Sequence, residues 1–431
     1  MKKFTIAIAL AFAFNLGFAQ KDYNPESVKA KAEKSNAEIA DAKAGASYKT
    51  WLKRAELFAE LAEAPLVGAY QGMSDKEVDL LVGKPNASSD VQIGGKTYTK
   101  MEYNNIDLFF EGGKLQYWTI KNPGVEKPLI TGFEAIDKAV TLDPKAAKKA
   151  KDIYGSYKNY FLKRANNEYN AGNKAEAAEN FAYAFKTTAN QVVNTPDTTV
   201  AYYAAFAYQE AGNNAEAAKY AQLCLDNKCY QNGDIYKILG EANAGMKDIA
   251  KAKEFYVKGL EAFPTNTSII FGIINLYLSQ NEDPKNILPF LDKAIELDPK
   301  NPSLYLVKGS FYEKFKDFDN AIATYKKAVE INPKYFEGWN NLGVVYYNVG
   351  VEFIDKSNKV DVNNQAEFDK LIKLADGQFK LALEQFLVAY SINPKDKDLV
   401  VNIKNIYFRF RNESEEMKKK YEEFNNLSQT M

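Results

Sequence analysis

The chain has 431 residues, 46% apolar and 26% charged, with 56 basic against 56 acidic side chains and no histidine. This is ordinary globular usage, enough by length for about three domains, and it lacks the positive excess of a general nucleic-acid binder. Without histidine, Ser-His-Asp and Cys-His nucleophile systems, imidazole bases and histidine-ligated zinc are excluded.

Residues 1–19 read as a cleavable secretory signal. Lys2 and Lys3 give a basic start, Phe4 to Phe14 an apolar run, and Gly17-Phe18-Ala19 the small residues before a cleavage point. The run is shorter than the roughly 20 apolar residues of a membrane span. No cysteine lies near the cleavage point, so neither a transmembrane span nor a lipid anchor is expected. The expectation is an exported chain, periplasmic first and otherwise peripheral to an outer membrane.

Residues 20–65 are expected to hold an N-terminal capping helix over 25–43 and a first helix over 48–63, with Trp51, Ala55 and Phe58 on one face. The matching second helix appears only at 133–142, closed by Pro144. About 65 residues therefore intervene within one helix pair, most of them the insert assigned to 66–128. Ser74 and Glu77 form a capping box for a short helix, and Gly83-Lys84-Pro85-Asn86 stops it. Two-residue alternation over 98–103, 106–110 and 115–120, with Gly94-Gly95 and Gly112-Gly113, predicts a hairpin-built sheet of three or four strands.

Residues 129–396 carry a period. Pro264, Pro299 and Pro333 close similar phrases at spacings of 35 and 34, and Pro394 follows 61 later. Between them run Tyr236, Leu239, Gly240, Ala252 and Tyr256; then Tyr305, Gly309, Tyr312, Ala321, Tyr325 and Ala328; then Trp339, Leu342, Gly343 and Tyr346. Weaker copies hold Phe161, Ala165, Gly172, Ala177 and Phe181, and Ala205, Tyr208, Gly212, Ala217, Ala221 and Cys224. A degenerate copy has Phe271, Asn275, Leu278, Ile287, Leu291 and Ala294 and lacks the glycine. The pattern resembles the tetratricopeptide repeat, two antiparallel helices per unit, in its secreted bacterial type. The resemblance implies a mainly α fold: a right-handed α-solenoid of helix pairs with a small α+β module inside the first repeat. The insert itself resembles the small α+β module of outer-membrane assembly lipoproteins and of the β-lactamase-inhibitor fold. The 61-residue spacing predicts that both helices of the Trp339 unit are lengthened by about 13 residues, some 20 Å at 1.5 Å per residue, giving an extended hairpin over 348–380. Residues 397–431 read as C-terminal capping helices.

Cys224 and Cys229 are the only cysteines. A disulfide between them requires the helix to end in between, which Asp226-Asn227 allows; bridged and free readings both stand.

Little chemistry is visible. There is no Gly-x-Gly, and Gly95-Lys96-Thr97 has Asp90 where a phosphate loop needs its first glycine. Asp361-Val362-Asn363 lacks the spacing of a calcium loop. No cofactor, metal or catalytic residue is expected, nor an enzyme. The repeat resemblance implies a concave groove lined by the first helix of each pair. Its residues here include Asn159, Leu162, Asn166, Tyr169 and Asn170, then Thr199, Tyr202, Phe206, Gln209 and Glu210, then Glu337, Asn340, Val344, Tyr347 and Asn348. Asparagine amides bond peptide backbone, and aromatic rings give rigid anchors. The expectation is a non-enzymatic scaffold for a protein or peptide partner. The alternative is a glycan-binding helical-repeat protein of an outer-membrane nutrient-uptake system.

Overall fold

The computed structural model describes residues 23–280, 286 and 288–430, the side chain of Leu278 excepted. The leader read over 1–19 and the positions Leu278 and Ile287 lie outside what is described. Cα packing separates two units, meeting between Cys229 and Tyr230.

The first unit opens with α1 (Pro25–Ala40) and α2 (Tyr48–Glu63). Asn24 caps α1 by accepting from Glu26 and Ser27 N–H, and Pro25 sits in the first turn, where its missing N–H costs nothing. Arg54 ties the two helices together, donating to Ser35 Oγ and Asn36 Oδ1 at 2.9 Å each.

The chain then leaves the helix pair. It forms α3 (Asp75–Leu81) and four strands, β1 (Ala87–Ile93), β2 (Lys96–Glu102), β3 (Ile106–Glu111) and β4 (Lys114–Ile120), in an antiparallel meander of order β1-β2-β3-β4. The capping box at the head of α3 is complete: Ser74 accepts from Glu77 N–H, and Ser74 N–H donates to Glu77 Oε2 at 2.7 Å. Two of the three hairpin turns are glycine pairs at positive φ, Gly94-Gly95 (59°, 75°) and Gly112-Gly113 (60°, 71°). That left-handed pair matches the twist of two-residue hairpins and strains most other residues. The core under the sheet is Met73, Val78, Leu108, Phe110, Leu115 and Trp118. β1 is almost wholly exposed; only Val91 is half-buried, packed against the cluster of Tyr98, Phe109 and Tyr117, and pairing with β2 holds the strand.

The chain returns in α4 (Pro128–Leu142), which packs on α2, so the module is inserted inside the first pair. Next come α5 (Ala147–Asn170), α6 (Lys174–Ala189), α7 (Thr198–Glu210) and α8 (Asn214–Asp226), each packed on its predecessor. Alanines 165, 177, 184, 205, 217 and 221 are fully buried. They keep neighbouring helices close enough for ring contacts such as Phe161–Tyr183 at 5.2 Å.

The second unit holds α9 (Asp234–Gly245), α10 (Ile249–Ala262), α11 (Thr267–Ser279), α12 (Leu288–Leu297), α13 (Pro302–Lys314), α14 (Phe318–Ile331), α15 (Phe336–Ser357), α16 (Gln365–Ile392), α17 (Lys397–Phe410) and α18 (Glu415–Thr430). One contact recurs within its pairs. A Cβ built on Gly240, Gly309 or Gly343 would stand 2.5 Å from the ring of Tyr256, Tyr325 or Phe386, the aromatic on the partner helix. The glycine makes room for the ring. The closing prolines stop each second helix just before them; Asn332 and Asn393 take φ −134°, the extended backbone that a following proline favours.

Two expectations for this unit are corrected. Phe271 is 40% exposed and fills no core position. Its neighbour Gly272 packs instead, pressed at 2.5 Å against Tyr256 of the preceding pair; the repeat-glycine slot of this copy is held by Asn275. In the long hairpin α15 has 22 residues and α16 has 28, against 13 and 14 for α13 and α14. The lengthening is therefore unequal, greater in the second helix. Gly350 lets the extended parts touch at Phe379.

Candidate functional site

Two surfaces of the first unit are candidate sites. The first is the face formed by α5 and α7. Asn159 and Asn170 are exposed there; Asn166, Tyr169, Phe206 and Gln209 are half-buried. The rings of Tyr169 and Phe206 lie 6.3 Å apart. Lys174 sits 3.2 Å over the Tyr169 ring, and the Tyr169 hydroxyl donates to Glu210 Oε2 at 3.4 Å. Burial, reinforced by Glu210, pushes that hydroxyl up to about 12, so it stays a donor at neutral pH.

Tyr202 requires a correction. It is 3% exposed and stacks among Tyr203 and Phe206. It is core beneath this face and offers no open ring, and Leu162 is likewise buried. Because helices here are covered on more than one side, a fixed offset within the repeat misplaces these two.

In the second unit, Asn340 and Tyr347 are half-buried on α15. Tyr347 leans on Phe379 at 5.1 Å. Asn340 Oδ1 is buried without a hydrogen-bond donor among the described residues. Asn348 is occupied: it donates to Glu313 Oε1 at 2.9 Å, while Tyr325 donates to Glu313 Oε2 at 2.9 Å. Burial pushes the Glu313 carboxyl up, and the two donors pull against it.

The second surface is a cavity of about 320 Å³ where the α+β module meets the helices. Leu61, Leu66, Trp118 and Leu129, all nearly fully buried, are among its apolar lining. Ion pairs surround them: Lys163 to Glu63 at 2.7 Å, Arg164 to Glu168 at 2.8 Å and Lys127 to Glu179 at 2.8 Å. Glu126 and Glu176, both exposed, also line it and form no ion pair among the described residues, although Glu176 adds, after Glu179, to the field that raises the Lys127 ammonium. Lys127 holds a left-handed backbone, φ 42°, as the residue before Pro128. The sequence reading assigned none of these residues to a site. The visible signal was the loop 121–127, where Pro123-Gly124 and Pro128 bracket Glu126-Lys127, but nothing local says which helices it faces.

Cys224 and Cys229 are not joined by a disulfide. The helix α8 does end between them. Lys228 takes φ 58°, Cys229 N–H donates to Cys224 O at 2.8 Å, and Lys228 N–H donates to Leu225 O at 3.0 Å. These two bonds are a Schellman closure, which brings the side chains three before and two after the cap together. Here those side chains are the two cysteines, and both sulfurs approach Thr198 O, at 3.5 and 3.7 Å.

Among the described residues no helix is long and apolar enough to cross a membrane. Residues 316–350, which span α14 and the first part of α15, match the family described as TPR repeat. The chain is similar to the BBSome complex member BBS4 of Bos taurus, 28% identical over 39% of this chain and 33% of that protein. It is also similar to the Protein O-mannosyl-transferase TMTC1 of Homo sapiens, 27% identical over 24% of this chain and 13% of that one. It thus spans a third or less of these curated relatives. Among solved structures, yeast Tom70 aligns over 70% of this chain and 57% of its own at TM-score 0.40 and 15% identity. A TPR repeats protein from Bacteroides fragilis NCTC 9343 aligns over 58% of this chain and 97% of its own at TM-score 0.28 and 22% identity. The segment 316–350 is a TPR repeat, and the helix pairs around it follow the same small-residue and aromatic pattern.

Proposed function

We propose that this chain is an exported, non-enzymatic scaffold that holds a protein or peptide partner on the faces of its repeat helices, as part of a cell-envelope complex. The observation that supports this reading is the α5–α7 face: a half-buried Tyr169–Phe206 pair flanked by Asn159, Asn166 and Gln209. Rigid rings with amide groups beside them suit extended peptide, whose carbonyls and N–H groups the amides satisfy. Export rests on the basic start and apolar run of residues 1–19, and the compartment in this reading is the periplasm.

A photo-crosslinking residue at Asn166, exposed to light in living cells, tests the face. A discrete protein adduct that disappears in a Tyr169→Ala/Phe206→Ala variant supports the reading. A folded protein that yields no adduct, or an adduct indifferent to those changes, overturns it. N-terminal sequencing of the mature protein tests export: Gln20 as first residue is expected, and a retained Met1 would refute it.

A further inference from the structure

We propose that the cavity between β4, α2, α4 and α5 is a second peptide site, taking a segment in which a large apolar side chain is followed closely by lysine or arginine. The proposal deepens the peptide-scaffold reading and rests on it, but names a different surface.

Two features point to this ligand. The deep lining is apolar, and about 320 Å³ lies at the small end of ligand pockets, a size for one anchor side chain rather than a folded surface. The rim charge is unbalanced. Three cations line the cavity, each in an ion pair with a glutamate, and Glu126 and Glu176 are left over. An incoming anion meets this surplus unfavourably, whereas an ammonium or guanidinium beside the anchor complements it and fixes its register. An anionic lipid surface fits none of this, since the surplus has the wrong sign.

The test pans a phage library of random dodecapeptides against the immobilised full chain and against an Ala62→Trp variant. Ala62 lines the cavity from α2 and is only half-buried, so the larger ring obstructs the site; a melting curve like that of the native chain verifies folding. Enriched peptides are expected to carry a large apolar residue within two positions of Lys or Arg. They should bind Ala62→Trp at least about tenfold more weakly, a loss of about 1.4 kcal/mol, and a Glu126→Gln/Glu176→Gln variant about threefold more weakly at low salt. Enrichment of acidic or uncharged sequences overturns the proposal. So does equal binding to Ala62→Trp. If peptides bind Ala62→Trp equally but lose affinity in Tyr169→Ala/Phe206→Ala, the cavity proposal fails while the scaffold reading stands.

Discussion

Asn167 acts as a strand partner for Trp118. Its Oδ1 accepts from the Trp118 N–H at 2.9 Å, and its Nδ2 donates to the Trp118 carbonyl at 3.1 Å. One side-chain amide thus satisfies both backbone groups on the outer edge of β4, which has no further strand beside it. Asn170 extends the seam by donating to Gln116 O at 3.3 Å. An exposed edge invites pairing with other chains; here α5 covers it.

Asn167 is 2% exposed, so Asn167→Ala leaves a buried N–H and carbonyl unpaired. The expected loss is about 2–6 kcal/mol, from roughly 1–3 for each orphaned group. Denaturant titration measures it. Hydrogen exchange at the Trp118 amide should accelerate more than exchange in α16. Uniform acceleration would mean that Asn167 does not specifically hold the module.

Tyr202→Ala and Phe206→Ala should separate. The first removes a buried ring and should cost about 3–5 kcal/mol, seen as a lower melting temperature. The second trims a half-buried ring and should cost markedly less stability while weakening partner capture. Equal melting temperatures would contradict the burial of Tyr202.

Gly343→Val drives a side chain into the Phe386 ring, already 2.5 Å from a built Cβ. Overpacking of this kind costs about 1–3 kcal/mol. Gly155→Ala, where a Cβ meets nothing within 4 Å, should be neutral or slightly stabilising by helix propensity. Thermal melts of the two variants check the contrast.

Asp197 caps α7, accepting from Thr199 and Val200 N–H, and meets Lys158 at 2.7 Å. Burial alone would push its carboxyl up. The Lys158 ammonium and the two backbone N–H groups outweigh burial and hold it below the ordinary range. A depressed folded pKa means the ionised form is favoured in the fold. Its contribution is present above the ordinary value of about 3.9 and is lost as pH falls through the lower folded value. Asp197→Asn keeps a cap acceptor but loses the charge. It should cost less than about 1 kcal/mol at neutral pH, with the difference from the native protein vanishing in acid. A difference that grows on acidification would refute the assignment.

Cys229 should alkylate first. Burial, with Cys229 adding to it, pushes the Cys224 thiol well up, whereas Cys229 is only half-buried. Brief iodoacetamide treatment followed by peptide mass mapping should label Cys229 and spare Cys224. Preferential labelling of Cys224 would mean that the cap opens.

Much of this architecture was legible in the sequence, because helix pairing is a local signal. Glycine facing an aromatic, alanine at the crossing and proline at the stop recur within one unit, and the capping box at Ser74 is written in four residues. The split of the first pair was readable because Trp51, Ala55 and Phe58 wanted a partner that arrived only at Phe133. β1 was harder to read, because its apolar residues Val91 and Ile93 lie mostly toward solvent, and Phe271 looks like a packing residue although its neighbour Gly272 is the one that touches Tyr256. The cavity was not readable: Leu61, Trp118, Leu129 and Lys163 are far apart in sequence and meet only through tertiary docking. The depth of Tyr202 likewise depends on neighbours that no periodicity announces.

The placement of the module between α2 and α4 also bears on how the chain finds its fold. The two helices cannot pair until everything from residue 64 to 127 has been synthesised, so that contact is among the slower ones to form from an open chain. A meander of short hairpins closes on itself through near neighbours. Once it has formed, it holds Leu66 and Ile120 in one core region, turning a long search into a short one. Substitutions that loosen the two glycine turns should therefore slow assembly of the first pair more than they lower its final stability.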